Sequence, residues 1–397
     1  MTSKQRKHQR LQQKKCKGTI MPKVSILLPV HNSVGKTNFL QQMLDSIVHQ
    51  TYKDFELLIL DNQSTDNTVN VCETIAQQDS RIKVHIDTQQ RSTEGAIDKL
   101  ISLARGEFIM VVSAYDLLNY HYIQVLSSEL KANKDIDMVY TNGTYINANN
   151  QVGQELIINK DGVYNSRHYY ENFCKAIHNR KTLPFIFGLF RKEVYQTLWP
   201  CESIQTNVDS LWMAKFFLNK RRASFVDYET FYYRYHSTSS KIENLPPNPV
   251  SIWVYHARNQ LYFYRAVCSL IDETDHAERT TALKMATLDS CLNQCGALLN
   301  WVEQFAEDAF EHATIEEIRK QYAPIYELKL PMMYPQDDIR THQDTMRLRC
   351  KILEERVMEC IIPIVQDTTI VFDTQNIIAQ IKKDIISQLH SGICTTP

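Results

Sequence analysis

No run of 18 or more apolar residues occurs in the 397-residue sequence, which rules out a candidate membrane-spanning helix. A secretory signal pattern is also missing. Ten cysteines are scattered, the nearest pair being Cys291 and Cys295, and neither CxxC nor a Cys/His metal spacing is found. Without an export signal, such cysteines are expected to be buried or free thiols in a reducing compartment. Excess charge of either sign is lacking too. The formal net charge is −1 and the pI about 6.9, so no nucleic-acid footprint is present and no nucleic-acid partner is expected. Internal repeats and low-complexity blocks are absent. These absences lead to the expectation of a cytoplasmic globular protein, with peripheral contact at the inner membrane face as its one route to a membrane.

What is present begins with Gly106 to Asp116. Phe108, Ile109, Met110, Val111 and Val112 form an unbroken apolar run, as expected of a central strand covered on both faces. It breaks into Ser113-Ala114-Tyr115-Asp116, which sets a carboxylate at the strand's carboxyl end. In open α/β sheets that edge binds ligands. Asp116 is equally suited to capping the segment that follows.

The same design recurs from residue 24 onwards. Val24 to Val30 and Phe55 to Leu60 read as buried strands, and Ile82 to Ile86 as an alternating one. Between them Phe39, Leu40, Met43, Leu44, Ile47 and Val48 recur at helical spacing, and Asp61-Asn-Gln-Ser-Thr-Asp66 supplies caps for a helix carrying Val69, Cys72 and Ile75. Gly95 to Ala104 is a further helix, and Ile136 to Tyr140 a fifth strand. Alternating strands and helices with short connections predict a mainly parallel sheet with helices on both faces. Right-handed crossovers gather Asn32, Asp61, Asn62 and Asp116 along one edge.

Beyond about Asn142 the pattern loosens. A strand is expected within Pro184 to Phe190, helices over Arg191 to Leu198 and Val208 to Leu218, and extended chain from Ser224 to Tyr235. The divisions expected are a basic, disordered tail over residues 1–22, an α/β domain over 23–240, a linker over 241–250 marked by its prolines, and a mostly helical region over 251–397.

Two motif readings compete at the first turn. Gly35-Lys36-Thr37, between a strand and a helix, suggests a phosphate-binding loop of an NTPase, but Val30 occupies the first glycine position and Pro29 precedes it. The other reading uses an ordered set: Val24 to Asn32, Leu44 to Tyr52, Phe55 to Thr68, Ala104 to Ile109, Ile186 to Val194, Asp209 to Phe216 and Tyr232 to His236. Together these resemble the family 2 glycosyltransferases of the GT-A (Rossmann-like) fold over roughly residues 23–240.

The resemblance implies a nucleotide-sugar donor, a UDP-sugar, and a glycan, lipid-linked or protein acceptor, in surface polysaccharide, lipopolysaccharide or glycoconjugate synthesis. It implies that Pro29, His31 and Asn32 line the nucleotide pocket, that Asp61 and Asn62 read the uracil and ribose, and that Asp209 is the base of an inverting displacement. Asp61 and Asn62 also suit an Asx turn, and Asp209 a helix N-terminus. The family's Asp-x-Asp, which holds Mn2+ or Mg2+, is replaced here by Ser113-Ala114-Tyr115. Asp116 with His236 remains as the candidate metal pair, and Arg91, Lys99 and Arg105 as candidate cations for the diphosphate. That departure keeps a second reading open: a GT-A pseudoenzyme serving as nucleotide-sugar sensor or scaffold.

Overall fold

The structure, a computed structural model, describes residues 22–34, 38–155, 188–198, 208–234 and 249–273, with scattered helical positions between 284 and 383. Residues 1–21 of the basic tail, 241–248 of the expected linker, Gly35-Lys36-Thr37, His236 and most of the C-terminal region lie outside them, while Pro249 and Val250 of the expected linker are helical.

Two apolar runs make the centre. Strand β1 (Val24–Val30) is buried at every position but Pro29, and β2 (Phe55–Asp61) at every position. Strands this uniformly apolar require cover on both faces. β1 pairs in parallel with β2 on one side and with β4 (Phe108–Val111) on the other, and β3 (Ile82–Ile86) adds in parallel to β2. The register aligns Val30, Asp61 and Ile86, so the carboxyl ends of three strands finish level. Helices α1 (Phe39–Val48), α2 (Thr68–Gln78) and α3 (Thr93–Leu103) make the crossovers, each burying an apolar stripe that includes Met43 and Leu44, Cys72 and Ile75, or Ile97 and Leu100. Ser92 caps α3 through its hydroxyl, which accepts from Gly95 N.

Opposite the ligand edge, the strand starts are tied by Glu56. Its buried carboxylate accepts from Ser25 Oγ (2.8 Å), from Arg105 N (2.8 Å), and from Arg105 Nε and Nη2 (3.0 and 2.7 Å). Burial alone would raise this carboxyl, but the Arg105 and Ser25 hydrogen bonds hold it below its ordinary value. Arg105 is therefore committed to the far edge and is not a cation for the diphosphate.

Past β4 the sheet becomes mixed. The order is β3-β2-β1-β4, then β8 (Gly188–Arg191), β6 (Met138–Ile146), β9 (Ala223–Arg234) and β5 (Leu117–Leu118), with β7 (Val152–Glu155) paired to β6. β5 (Leu117–Leu118) precedes helix α4 (Tyr122–Ala132), whose Tyr122, Ile123, Leu126 and Leu130 are buried. The expected fifth strand is β6 (Met138–Ile146), which runs six residues past Tyr140 and is bulged between Thr141 and Gly143 against β9 (Ala223–Arg234). β8 (Gly188–Arg191) lies antiparallel between β4 and β6. Helix α5 (Lys192–Leu198) leads on towards α6 (Val208–Leu218), which is buried on nearly every side from Leu211 to Leu218. Trp212 packs edge-on to Phe190 with ring centroids 4.8 Å apart. Helix α7 (Pro249–Asp272) packs on α6 with Leu261, Phe263, Tyr264 and Val267 buried. No helix among the described residues is long and apolar enough to cross a membrane.

Candidate functional site

The loops leaving β1 and β2 are cross-linked at the level carboxyl edge. His31 Nδ1 lies 2.8 Å from the Asn62 carbonyl, and Asn32 N donates to Ser64 Oγ (2.8 Å). Asn32 Oδ1 accepts from Thr65 N (2.7 Å), and Ser33 N donates to Thr68 Oγ1 (2.7 Å). Asn32 and Gln63 both adopt left-handed backbone, φ 46° and 62°. Such conformations cost about 1 kcal/mol or more in residues other than glycine and cluster at ligand sites. The cross-links, each contributing about 1 kcal/mol net, hold them.

Asp61 sits at the centre of this edge. Its residue is 1 % exposed, its Oδ2 accepts from Ser64 N (3.0 Å), and its Oδ1 has no hydrogen-bond partner. A buried acceptor left unmatched costs free energy that a bound donor group would recover. Beside it Asn62 is fully used: Oδ1 accepts from Arg91 N (2.8 Å) and Nδ2 donates to Arg91 O (2.7 Å). This two-point bond pins the β3–α3 loop against β2. Arg91 also pairs through Nε with Asp87, whose carboxyl this guanidinium holds below the ordinary value. Pro29, His31, Asn32, Asp61 and Asn62 are thus brought together, with Arg91 at their rim.

At the carboxyl end of β4 the chain turns through Ser113, whose Oγ accepts from Tyr115 N (3.4 Å). Asp116 is 3 % exposed and its Oδ1 accepts from Arg234 N (2.9 Å). Burial pushes this carboxyl up to about 7, against the pull of the Arg234 N–H and guanidinium. Arg234, 2 % exposed, ties four segments together. Nε donates to Tyr115 O (2.7 Å), Nη1 to Asn147 O (3.0 Å) and Asn150 Oδ1 (2.6 Å), and Nη2 to Gln42 Oε1 (3.0 Å). Its guanidinium stands 4.2 Å from the Phe39 ring centroid. Arg234 lies within the Tyr232 to His236 segment, and in the sequence its signal is a lone arginine among tyrosines in an extended run. Asp209 falls in the first turn of α6, and His236 lies outside the described residues.

The resemblance implies a divalent cation at Asp116. The carboxyl there is enclosed and engaged, and among the described residues no three His, Cys, Asp or Glu side chains stand together as a metal-ligand group. The described residues at this position do not fit such an ion.

Residues 25–199 match the model of glycosyl transferase family 2. The UDP-Glc:alpha-D-GlcNAc-diphosphoundecaprenol beta-1,3-glucosyltransferase WfgD of Escherichia coli is 30% identical over 181 residues, covering 44% of this chain and 68% of that one. The chain belongs to glycosyl transferase family 2. Glycosyltransferase GlyG of Streptococcus pneumoniae, another relative, is 25% identical over 224 residues, 54% of this chain and 72% of its own. In fold, the family member here is similar to S. aureus TarS 1–349 in complex with UDP-GlcNAc. The TM-score is 0.53 at 14% identity, over 93% of this chain and 92% of that one. The fold is therefore GT-A-like, a mixed sheet with flanking helices.

Proposed function

We propose that this chain transfers a sugar from a UDP-sugar to an acceptor hydroxyl, with inversion at the anomeric carbon. The observation that carries the reading is the unpartnered Oδ1 of Asp61, buried at the edge where the loops after β1, β2 and β3 are tied together. A uracil N–H or ribose hydroxyl is the kind of donor that oxygen lacks. Pro29, His31 and Asn32 would form the wall on one side. Asn62 would act by holding the Arg91 loop in place, since both ends of its amide are occupied. The fold relative TarS is described with UDP-GlcNAc, and the relative WfgD is named for UDP-glucose and a lipid-linked acceptor. Both favour a uridine donor and a task in polysaccharide or glycoconjugate synthesis, with a glycan, lipid-linked or protein acceptor.

In the mechanism, the acceptor oxygen attacks the anomeric carbon while the bond to the diphosphate oxygen breaks and the electron pair leaves with UDP. The acceptor proton passes to the Asp209 carboxylate. Helix α6 is clamped by Trp212 one turn further on, which fixes the backbone that carries Asp209.

The test is product formation from UDP-sugars with wild type and Asp209→Asn. The variant is expected to bind donor unchanged and to lose about 100-fold or more in kcat. A second reading, a nucleotide-sugar sensor or scaffold, is favoured by the enclosure of Asp116 and by Ser113 and Tyr115. Donor binding with neither transfer nor hydrolysis in the wild type would select it. Stabilisation by ATP alone would instead select the phosphate-loop NTPase.

A further inference from the structure

Three side chains face the question of what neutralises charge at the end of β4. Ser113 and Tyr115 are neutral, and a phenol with an ordinary pKa of about 10 is a poor ligand for a hard cation at neutral pH. The remaining carboxylate, Asp116, is 3 % exposed, with one oxygen accepting from Arg234 N. Mn2+ or Mg2+ held by a single carboxylate must keep several waters, and a carboxyl this enclosed leaves no room for them. The position beside it is already taken by a positive charge. The Arg234 guanidinium is buried and donates to the Tyr115 carbonyl at 2.7 Å, within the same turn. A divalent ion placed there would meet that charge across a short, poorly screened distance.

We infer that Arg234 is the built-in cation of the β4–β5 turn, and that this chain binds its nucleoside diphosphate sugar without a divalent metal. Arg234 acts as a positioning residue. Four of its five side-chain N–H donors are committed to Tyr115, Asn147, Asn150 and Gln42, so its main part is to shape the turn. The inference rests on the transferase reading for the identity of the ligand, but not for the absence of a metal site.

The experiment has two arms on the full chain. In the first, Mn2+ alone is titrated against the protein and free Mn2+ is read by electron paramagnetic resonance. The signal is expected to match buffer. A stoichiometric bound ion that Asp116→Asn removes would overturn the inference. In the second, UDP and UDP-GlcNAc are titrated calorimetrically in excess EDTA and in saturating Mn2+. The dissociation constants are expected to agree within about threefold, and a tightening of about tenfold or more with Mn2+, about 1.4 kcal/mol, would overturn it. If neither ligand binds in either buffer, the uridine-donor reading fails and the first arm still decides the metal. Ser113→Asp with Tyr115→Asp, which rebuilds a carboxylate pair, is expected to withdraw Mn2+ from solution where the wild type does not.

Discussion

A Cβ added at Gly106 would lie 2.5 Å from the Ser25 nitrogen and 2.8 Å from both Ser25 Oγ and the Val24 carbonyl carbon. The Ser25 nitrogen and the Val24 carbon are β1 backbone and cannot swing aside as the Ser25 hydroxyl could. Gly106→Ala is expected to lower stability by about 3 kcal/mol, measured by urea unfolding, because overpacking against backbone strains the strand pair. Asp116 gives the pH dependence. Its carboxyl keeps its proton to about pH 7 in the fold, while the unfolded chain loses it near 3.8. Between those values the folded state holds more protons, so stability from this group falls as pH rises and levels off above 7, by about 4 kcal/mol at most. Among the described residues the facing charge is Arg234, and the Tyr122 phenol, neutral throughout this range, also interacts with it. Asp116→Asn, which still accepts from Arg234 N, should gain stability relative to wild type as pH rises from 5 to 8. Parallel unfolding curves at the two values check this. The residues of the ligand edge were legible because strand ends and Asx-rich turns mark themselves. Where their hydrogen bonds go was not. Nothing in the types Asn62 and Arg91 announces a two-point bond between a side chain and a backbone 29 positions away.

At the scale of elements, the parallel block and its crossovers followed from uninterrupted apolar runs and 3.6-residue spacing. The strand expected over Ile136 to Tyr140 stops short of Asn142-Gly143, a pair of turn-forming types at which the pattern loosens. In the structure β9 on one side, with β7 at Thr144 and Ile146 on the other, keeps that segment extended, and the turn formers become a bulge. Neighbours supplied by distant sequence overrode the local preference. The tie made by Arg234 is of the same kind, since all four of its side-chain partners are 84 or more positions away. Arg234→Lys keeps the charge but replaces a planar fork with one ammonium, which cannot reach Tyr115, Asn147, Asn150 and Gln42 together. A loss of about 2 kcal/mol in urea unfolding is expected, from two or so buried hydrogen bonds at about 1 kcal/mol each. KM for donor should rise more than kcat falls, because the β4–β5 turn would shift while Asp209 on α6 would not.

Over the whole molecule, the parallel half carries the cross-linked loops after β1, β2 and β3, and the mixed half carries α6 with Asp209 and the strand that ends in Arg234. The family match ends at residue 199, before either α6 or β9. Yet β5 has its sheet pairing with β9, and β6 has β9 as its parallel partner. This has a consequence for the order of events during synthesis. A chain emerging from the ribosome completes β1 to β4 early, but the Gln42 to Arg234 tie spans 192 positions and waits for β9. Until then Asp116 is uncapped and β6 offers an open edge, so the ligand crevice closes as a late step in a slow, long-range assembly. A fragment of residues 22–199 is accordingly expected to show no cooperative thermal transition where the full chain melts as one.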